Sequence, residues 1–157
     1  MKIYFASPLF SEMELLYNQQ FVAKIRERYP SIEVYLPQEQ AAINDKNGYA
    51  DSKQIAQADT NELLESQLMV AILDGPIIDV GVASEIGVAY QAGIPVLALY
   101  SDSRQLGATN PKKLEALQQV GESQFCYANL YTIGLVKLNG ALVSTSAEIL
   151  DSIEAYL

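Results

Sequence analysis

Short apolar runs alternate with longer helical patterns along this chain. The runs Lys2–Ala6, Glu33–Leu36, Met69–Leu73 and Val96–Tyr100 have the length and composition of strands, and residues 141–143 could add a short edge strand. Strands that alternate with helices are typical of a parallel sheet with crossover helices. We therefore predict an α/β fold with a doubly wound, mainly parallel five-stranded sheet flanked by helices, a flavodoxin-like, Rossmann-type sandwich.

Capping residues and prolines mark the ends of the predicted helices. Ser11 with Glu14, and Thr145 with Glu148, have the spacing of a capping box, which indicates a helix start. The predicted helices cover residues 11–28, 52–66, 80–92, 111–120, 129–138 and 145–156. The polar stretch from Gln38 to Ala50 is predicted as a loop, which is either a binding loop or a plain surface excursion.

Composition restricts the classes of function. The net charge of -9 disfavours nucleic acid and anionic membranes as partners, because both require a basic face. The absence of histidine excludes a Ser-His-Asp triad and a His-ligated metal site, and we expect no metal and no cofactor. The single cysteine, Cys126, is predicted to be a core thiol. Without a secretory signal, a transmembrane run or a linker, residues 1–157 are predicted to form one soluble, cytoplasmic domain.

Three acids stand in an otherwise uncharged stretch. Between Leu68 and Ser101 the charged side chains are Asp74, Asp79 and Glu85, and no basic residue is available there to pair with them. Carboxylates in apolar surroundings are costly unless they are paired or hydrogen-bonded, so such residues are candidates for a functional site. Glu85 is predicted near the start of a helix at the carboxyl edge of the sheet, where the helix dipole would lower its pKa and favour a nucleophilic carboxylate.

Asp59 is a second clue to the chemistry. It lies four residues after Ile55 and four before Leu63, so it falls on the same helix face as these apolar residues. Asp59 is either a partly exposed acid or a carboxylate that points into the same cleft as Glu85. In the second case, one ionised nucleophile and one protonated acid would suit glycosidic cleavage with retention.

Four segments carry a family resemblance that covers nearly the whole chain. The run Asp79–Leu99 resembles the signature region of the nucleoside 2-deoxyribosyltransferases, which exchange the base of a 2'-deoxynucleoside through a covalent deoxyribosyl-glutamate. The opening Lys2–Ser11 resembles the first strand and loop of that family. Asp59 matches an aspartate on the corresponding helix, and Asn129-Leu130 resembles an Asn-Leu pair that a neighbouring subunit contributes to the active site.

The resemblance implies a role for each matching residue. Glu85 would be the nucleophile that attacks the anomeric carbon, and Tyr4 would hydrogen-bond Glu85 and fix its rotamer. Asp59 would contact the base and help to protonate it as it leaves. Asp79 would hold a deoxyribose hydroxyl, although an Asp at that position is also a favoured helix N-cap. Asn129 would reach a sugar hydroxyl in the site of the adjacent protomer.

Two further residues complete the predicted substrate site, and two departures from the family pattern concern its base-binding half. Ser7 follows the first strand, and Gly81 lies in the signature run; both are predicted to bind substrate. Tyr131 stands close after the Asn-Leu pair, where family members often have a methionine, and residues 38–50 do not align clearly with the base-contacting loop.

The resemblance also implies the partners of this protein. Its substrates would be 2'-deoxynucleosides and free nucleobases. It would form a homo-oligomer, either a dimer or a trimer of dimers, in which neighbouring subunits share their active sites.

Two other functions remain open at this point. A 2'-deoxynucleoside 5'-phosphate N-hydrolase has the same fold and a similar glutamate, but it must hold a phosphate. No basic residue occurs between Lys2 and Lys24, although Ser7 and Ser11 could donate hydrogen bonds to a phosphate. A non-catalytic nucleoside-binding domain is the other alternative, and it would tolerate the substitution Glu85→Gln.

Overall fold

The described part of the chain contains one five-stranded parallel sheet. The computed structural model describes residues 1–40, 51–106, 109–122 and 127–157. The strands are β1 (Lys2–Ala6), β2 (Glu33–Tyr35), β3 (Leu68–Ile72), β4 (Val96–Leu99) and β5 (Gly140–Val143). Their order is β2-β1-β3-β4-β5, and every neighbouring pair is parallel. This order is the flavodoxin-like one, so the predicted fold class is confirmed.

Burial and close packing account for the strands at the centre and at one edge of the sheet. All five residues of β3 are buried, as expected for an apolar strand with neighbours on both sides. At the β5 edge, a Cβ built on Gly140 would lie 1.9 Å from the carbonyl oxygen of Val96. Only glycine therefore permits the backbone approach that pairs β5 with β4.

Six α-helices occur within the described ranges. They are α1 (Glu12–Arg28), α2 (Ser52–Leu64), α3 (Val80–Gln91), α4 (Pro111–Ala116), α5 (Leu130–Leu138) and α6 (Ser146–Ser152). The two predicted capping boxes, at Ser11 and Thr145, are both present. The helices α4 and α6 are clearly shorter than predicted. α4 ends at Ala116, after which backbone hydrogen bonds join residues three apart, and α6 is followed by the 3-10 turn Ile153–Tyr156.

The alternation of side chains along β1 assigns each residue to one face of the sheet. Ile3 and Phe5 pack on the face that α1 and α6 cover, while Tyr4 and Ala6 pack on the face covered by α2, α3 and α5. Helices therefore flank both faces, as predicted. The arrangement also directs Tyr4 towards the helices that carry Asp59 and Glu85.

Some predictions fall where no structure is described. Residues 41–50 of the predicted loop and Cys126 lie outside the described residues. The first part of the predicted loop instead contains the 3-10 turn Pro37–Glu39. Among the helices of the described ranges, none has both the length and the apolar character needed to cross a membrane.

Candidate active site

A cleft of about 300 Å³ opens at the carboxyl end of β1. It lies beside the point where the strand order reverses between β1 and β3, the usual ligand position in open α/β sheets. Five of the seven predicted site residues line it: Ser7, Asp59, Asp79, Gly81 and Glu85. The remaining lining residues are apolar: Ala6, Leu9, Phe10, Pro37, Ile55 and Val82. Asp59 is therefore half-buried and lines the same cleft as Glu85.

A hydrogen bond from the buried Tyr4 holds Glu85 in the wall of the cleft. The Tyr4 hydroxyl donates to Glu85 Oε1 at 2.6 Å, and the Tyr4 side chain is fully buried. Burial raises the pKa of Glu85 to about 7; the bond from Tyr4 opposes this rise, and the charges of Asp59 and Asp79 add to it. The predicted lowering of the Glu85 pKa is therefore wrong. Glu85 lies in the second turn of α3, where the dipole effect has faded and burial dominates.

A second tyrosine, which sequence reasoning missed, contacts the second carboxylate. The Tyr35 hydroxyl donates to Asp59 Oδ1 at 3.2 Å. Burial raises the pKa of Asp59, the bond from Tyr35 opposes the rise, and the charge of Glu62 adds to it. Tyr4 and Tyr35 are register partners on β1 and β2, and their rings stack at 5.4 Å with 20° between the planes. The sequence offers only a partial signal: each tyrosine is the third residue of its strand, but the register that makes them neighbours comes from the structure.

Asp79 caps the helix that carries Glu85. Its Oδ1 accepts from the backbone N–H groups of Gly81 at 2.9 Å and Val82 at 3.0 Å, so the N-cap interpretation is confirmed. Oδ2 takes no part in this cap, and Asp79 also lines the cleft. A Cβ on Gly81 would lie 3.0 Å from Asp79 Oδ1, so the glycine makes room for the capping carboxylate. One residue can therefore hold the helix end and still offer an acceptor to a ligand.

Ser7 belongs to a hydrogen-bond network, centred on the buried Asn18, beside the cleft. Its hydroxyl donates to Asn18 Oδ1 at 2.6 Å and lies 3.1 Å from the Pro8 carbonyl oxygen. Asn18 is fully buried, and its amide donates to the carbonyl of Pro8 and to Gln38 Oε1, each at 3.0 Å. Because the Ser7 proton points into the protein, Ser7 offers the cleft an acceptor.

The start of α1 already has a hydrogen-bonded carboxylate, that of Glu14. The backbone N–H groups of Phe10 and Ser11 both donate to Glu14 Oε2, at 3.0 and 2.7 Å. These two N–H groups lie just before and at the N-cap of α1, and neither is available to a bound anion. The Glu14 carboxylate already occupies them.

Asn129 and Asp74 lie apart from the cleft lining. Asn129 is exposed and caps α5, where its Oδ1 accepts from the N–H groups of Tyr131 and Thr132 at 3.0 and 3.2 Å. Asp74 accepts from the backbone N–H and the hydroxyl of Ser101, each at 2.6 Å. The Asp74 carboxylate therefore joins the chain after β3 to the chain after β4, which accounts for an acid at that strand end. Within the described ranges, no group of three potential ligands could hold a metal ion.

Several solved structures are similar to this chain. A conserved protein from Enterococcus faecalis shares 60% identity with a TM-score of 0.94, covering 100% of this chain and 99% of that one. The 2-deoxyribosyltransferase of Bacillus psychrosaccharolyticus shares 17% identity with a TM-score of 0.64, covering 96% of this chain and 90% of that one. A CMP N-glycosidase of Clostridium botulinum shares 15% identity with a TM-score of 0.53, covering 100% of both chains. The last two likenesses concern the fold alone.

The family assignment rests on the sequence match. No curated protein matches the chain. The family model for nucleoside 2-deoxyribosyltransferase matches residues 3–131, which contain β1 except its first residue, the strands β2 to β4 and every residue of the cleft. The chain therefore belongs to the nucleoside 2-deoxyribosyltransferase family.

Proposed function

We propose that this protein transfers the 2-deoxyribosyl group between nucleobases by a double displacement through a covalent deoxyribosyl-glutamate on Glu85. The observation that carries the proposal is the hydrogen bond of 2.6 Å from Tyr4 to Glu85, within a cleft that also holds Asp59. A buried phenol that fixes one oxygen of a carboxylate leaves the other oxygen oriented for attack.

In the first displacement, Glu85 attacks the anomeric carbon of the bound deoxynucleoside. The new bond joins a Glu85 oxygen to that carbon, while the bond from the carbon to the base nitrogen breaks and its electron pair leaves with the base. Asp59 gives its proton to the departing base. In the second displacement, a nitrogen of the incoming base attacks, the ester bond to Glu85 breaks, and Asp59 takes up a proton. Two inversions give overall retention.

The electrostatics of the cleft suit this chemistry. Burial raises the pKa of both acids, that of Glu85 to about 7, so the ionised form of Glu85 is populated near neutral pH. The reaction uses the state of the cleft in which Glu85 is ionised and Asp59 holds the proton. The transition state carries positive charge on the sugar, and the carboxylate of Asp79 lines the same cleft. Acidic groups aimed at this developing charge stabilise it without reorganisation.

We assign the sugar hydroxyls to acceptors on the cleft wall. The oxygen of Asp79 that takes no part in the helix cap, together with Ser7, would accept from the hydroxyls, with Gly81 beside them. Asn129 would reach a sugar hydroxyl in the site of a second copy. Its exposed neighbours Tyr127 and Leu130, 84% and 83% accessible, offer apolar surface for that contact. We therefore propose a homo-oligomer, a dimer or a trimer of dimers.

The donor count of the cleft favours unphosphorylated substrates. A 5'-phosphate requires donors, and Ser7 donates to Asn18 while the N–H groups of Phe10 and Ser11 donate to Glu14. The cleft side chains named above present acceptors instead, and these match the hydroxyls of a neutral nucleoside. This observation favours the transferase over a hydrolase of 5'-phosphates.

The proposal is tested by following base exchange. Incubated with deoxyinosine and adenine, the protein should form deoxyadenosine, and it should release little free hypoxanthine without adenine. Glu85→Ala should abolish this exchange while the fold is retained, and Glu154→Gln, an exposed substitution in the 3-10 turn after α6, should leave it unchanged. Acceptor-independent release that is faster from the 5'-phosphate would instead support the hydrolase, and binding without turnover would support a non-catalytic domain.

A further inference from the structure

Two neighbouring strands each direct a tyrosine to one of the two carboxylates. Tyr4 on β1 bonds Glu85, and its register partner Tyr35 on β2 bonds Asp59. The two rings stack, and each hydroxyl group donates to its own acid. The family resemblance implies a role for Tyr4, whereas the proposed function assigns no role to Tyr35.

We propose that Tyr35 is a positioning residue that fixes the Asp59 carboxyl for proton transfer to and from the base. The inference rests on the proposed function, in which Asp59 protonates the leaving base. A donor held by a strand can define the rotamer of a short acid on a neighbouring helix, and general acid catalysis depends on that geometry.

Burial and two contacts of its ring hold the Tyr35 side chain in place. Its side chain is buried, its ring stacks on Tyr4, and the Lys2 ammonium group lies 5.9 Å from the ring centroid. Lys2 in turn forms an ion pair with Glu62, one helical turn after Asp59 on α2. The Tyr35 hydroxyl is therefore a fixed point against which the Asp59 carboxyl can be oriented.

The other groups around Asp59 cannot replace this donor. Glu62 on α2 and Glu85 on α3 are acids whose charges repel an ionised Asp59. Tyr4 on β1 directs its proton to Glu85. Removal of the Tyr35 hydroxyl would leave the Asp59 carboxyl free to rotate and would raise its pKa further, because the ionised form would lose its hydrogen bond.

The first test compares two leaving groups in Tyr35→Phe. Deoxyguanosine needs a proton on its departing base, whereas 7-methyl-2'-deoxyguanosine already carries a positive charge and loses a neutral base. Under single-turnover conditions, which follow the first displacement alone, Tyr35→Phe should slow base release from deoxyguanosine roughly 10-fold and change release from the methylated substrate little, since positioned acids contribute about 100- to 10,000-fold. Tyr4→Phe, which affects the nucleophile, should slow both substrates alike.

The matched control is Tyr29→Phe. The Tyr29 hydroxyl donates to the Leu150 carbonyl at 2.7 Å, on the opposite side of the sheet, so this variant loses a comparable hydrogen bond away from the cleft. It should leave the ratio of the two rates unchanged. An equal slowing of both substrates in Tyr35→Phe would show a merely structural contribution and would overturn the proposal.

The second test does not depend on turnover. Carbon-13 NMR titration of the Asp59 carboxyl, assigned with Asp59→Asn, should give a higher pKa in Tyr35→Phe than in the wild-type protein or Tyr29→Phe. An unchanged pKa of Asp59 would overturn the inference. If the wild-type protein released no base from either substrate, the proposed function would fail. The titration alone would then test whether Tyr35 positions the Asp59 carboxyl.

Discussion

Replacement of Glu85 by glutamine should stabilise the protein more at neutral and alkaline pH than at acid pH. Glutamine has the shape of a protonated glutamate and can still accept from the Tyr4 hydroxyl, so Glu85→Gln removes only the titration. The groups that face Glu85 are Tyr4 from β1, Asp59 from α2 and Asp79 at the start of α3, and the two acids oppose its ionisation. The substitution therefore measures what the folded protein loses when Glu85 ionises.

The magnitude follows from the pKa of Glu85. Burial raises that pKa from 4.5 to about 7, which at about 1.36 kcal/mol per pKa unit corresponds to about 3 kcal/mol. Because the pKa is raised on folding, the folded protein keeps a proton that the unfolded chain has released. The stabilisation is thus full below the unfolded pKa and is lost as the pH rises through about 7.

The assay is urea unfolding of both proteins at equal concentration. From about pH 5 to about pH 8.5, the stability of the wild type relative to Glu85→Gln should fall by about 2.5 kcal/mol. The contribution of Asp59, whose pKa is also raised by burial, is present in both proteins and largely cancels in the difference. A difference that stays constant with pH, or that grows in favour of the wild type, would refute the reasoning.

Three further variants test the remaining parts of the site. Tyr4→Phe should slow base exchange roughly 10- to 100-fold and raise the pKa of Glu85 further, because the phenol that opposes the rise is lost; carbon-13 titration checks this. Asp79→Ala should raise KM and cost about 1 kcal/mol of stability through the lost N-cap, whereas Thr145→Ala, which removes the cap of α6, should cost a similar amount with KM unchanged. Asn129→Ala should be inactive alone but should regain base exchange when it is mixed and refolded with Glu85→Gln. In the mixed oligomer, one site would combine the Glu85 of one subunit with the Asn129 of the other. An absence of recovered activity would contradict shared sites.

The sequence allowed the sheet to be predicted because its strands are locally encoded. The strand β3 is a continuous apolar run, and the capping box at Ser11 defines the start of α1. The end of α4 could not be predicted in this way, because the sequence to Val120 remains compatible with a helix while the backbone tightens into turns after Ala116. Helix propensity does not encode that choice.

The candidate site was predictable in its acids and less so in their environment. Glu85 and Asp59 could be singled out because carboxylates on apolar stretches need a reason. The pKa of Glu85 was predicted in the wrong direction, since burial depends on tertiary packing while the helix position can be read locally. Tyr35 was missed because its contact with Asp59 depends on the register of β2 against β1.

A covalent sugar on Glu85 can be detected by intact-protein mass spectrometry. A 2'-fluorinated 2'-deoxynucleoside should form the ester but hydrolyse slowly, since fluorine destabilises the positively charged transition state. We predict that the wild-type mass rises by one fluorinated sugar, that peptide mapping places the addition on Glu85, and that Glu85→Gln stays unlabelled. An unmodified wild-type mass under conditions where base is released, or a label on another residue, would contradict it.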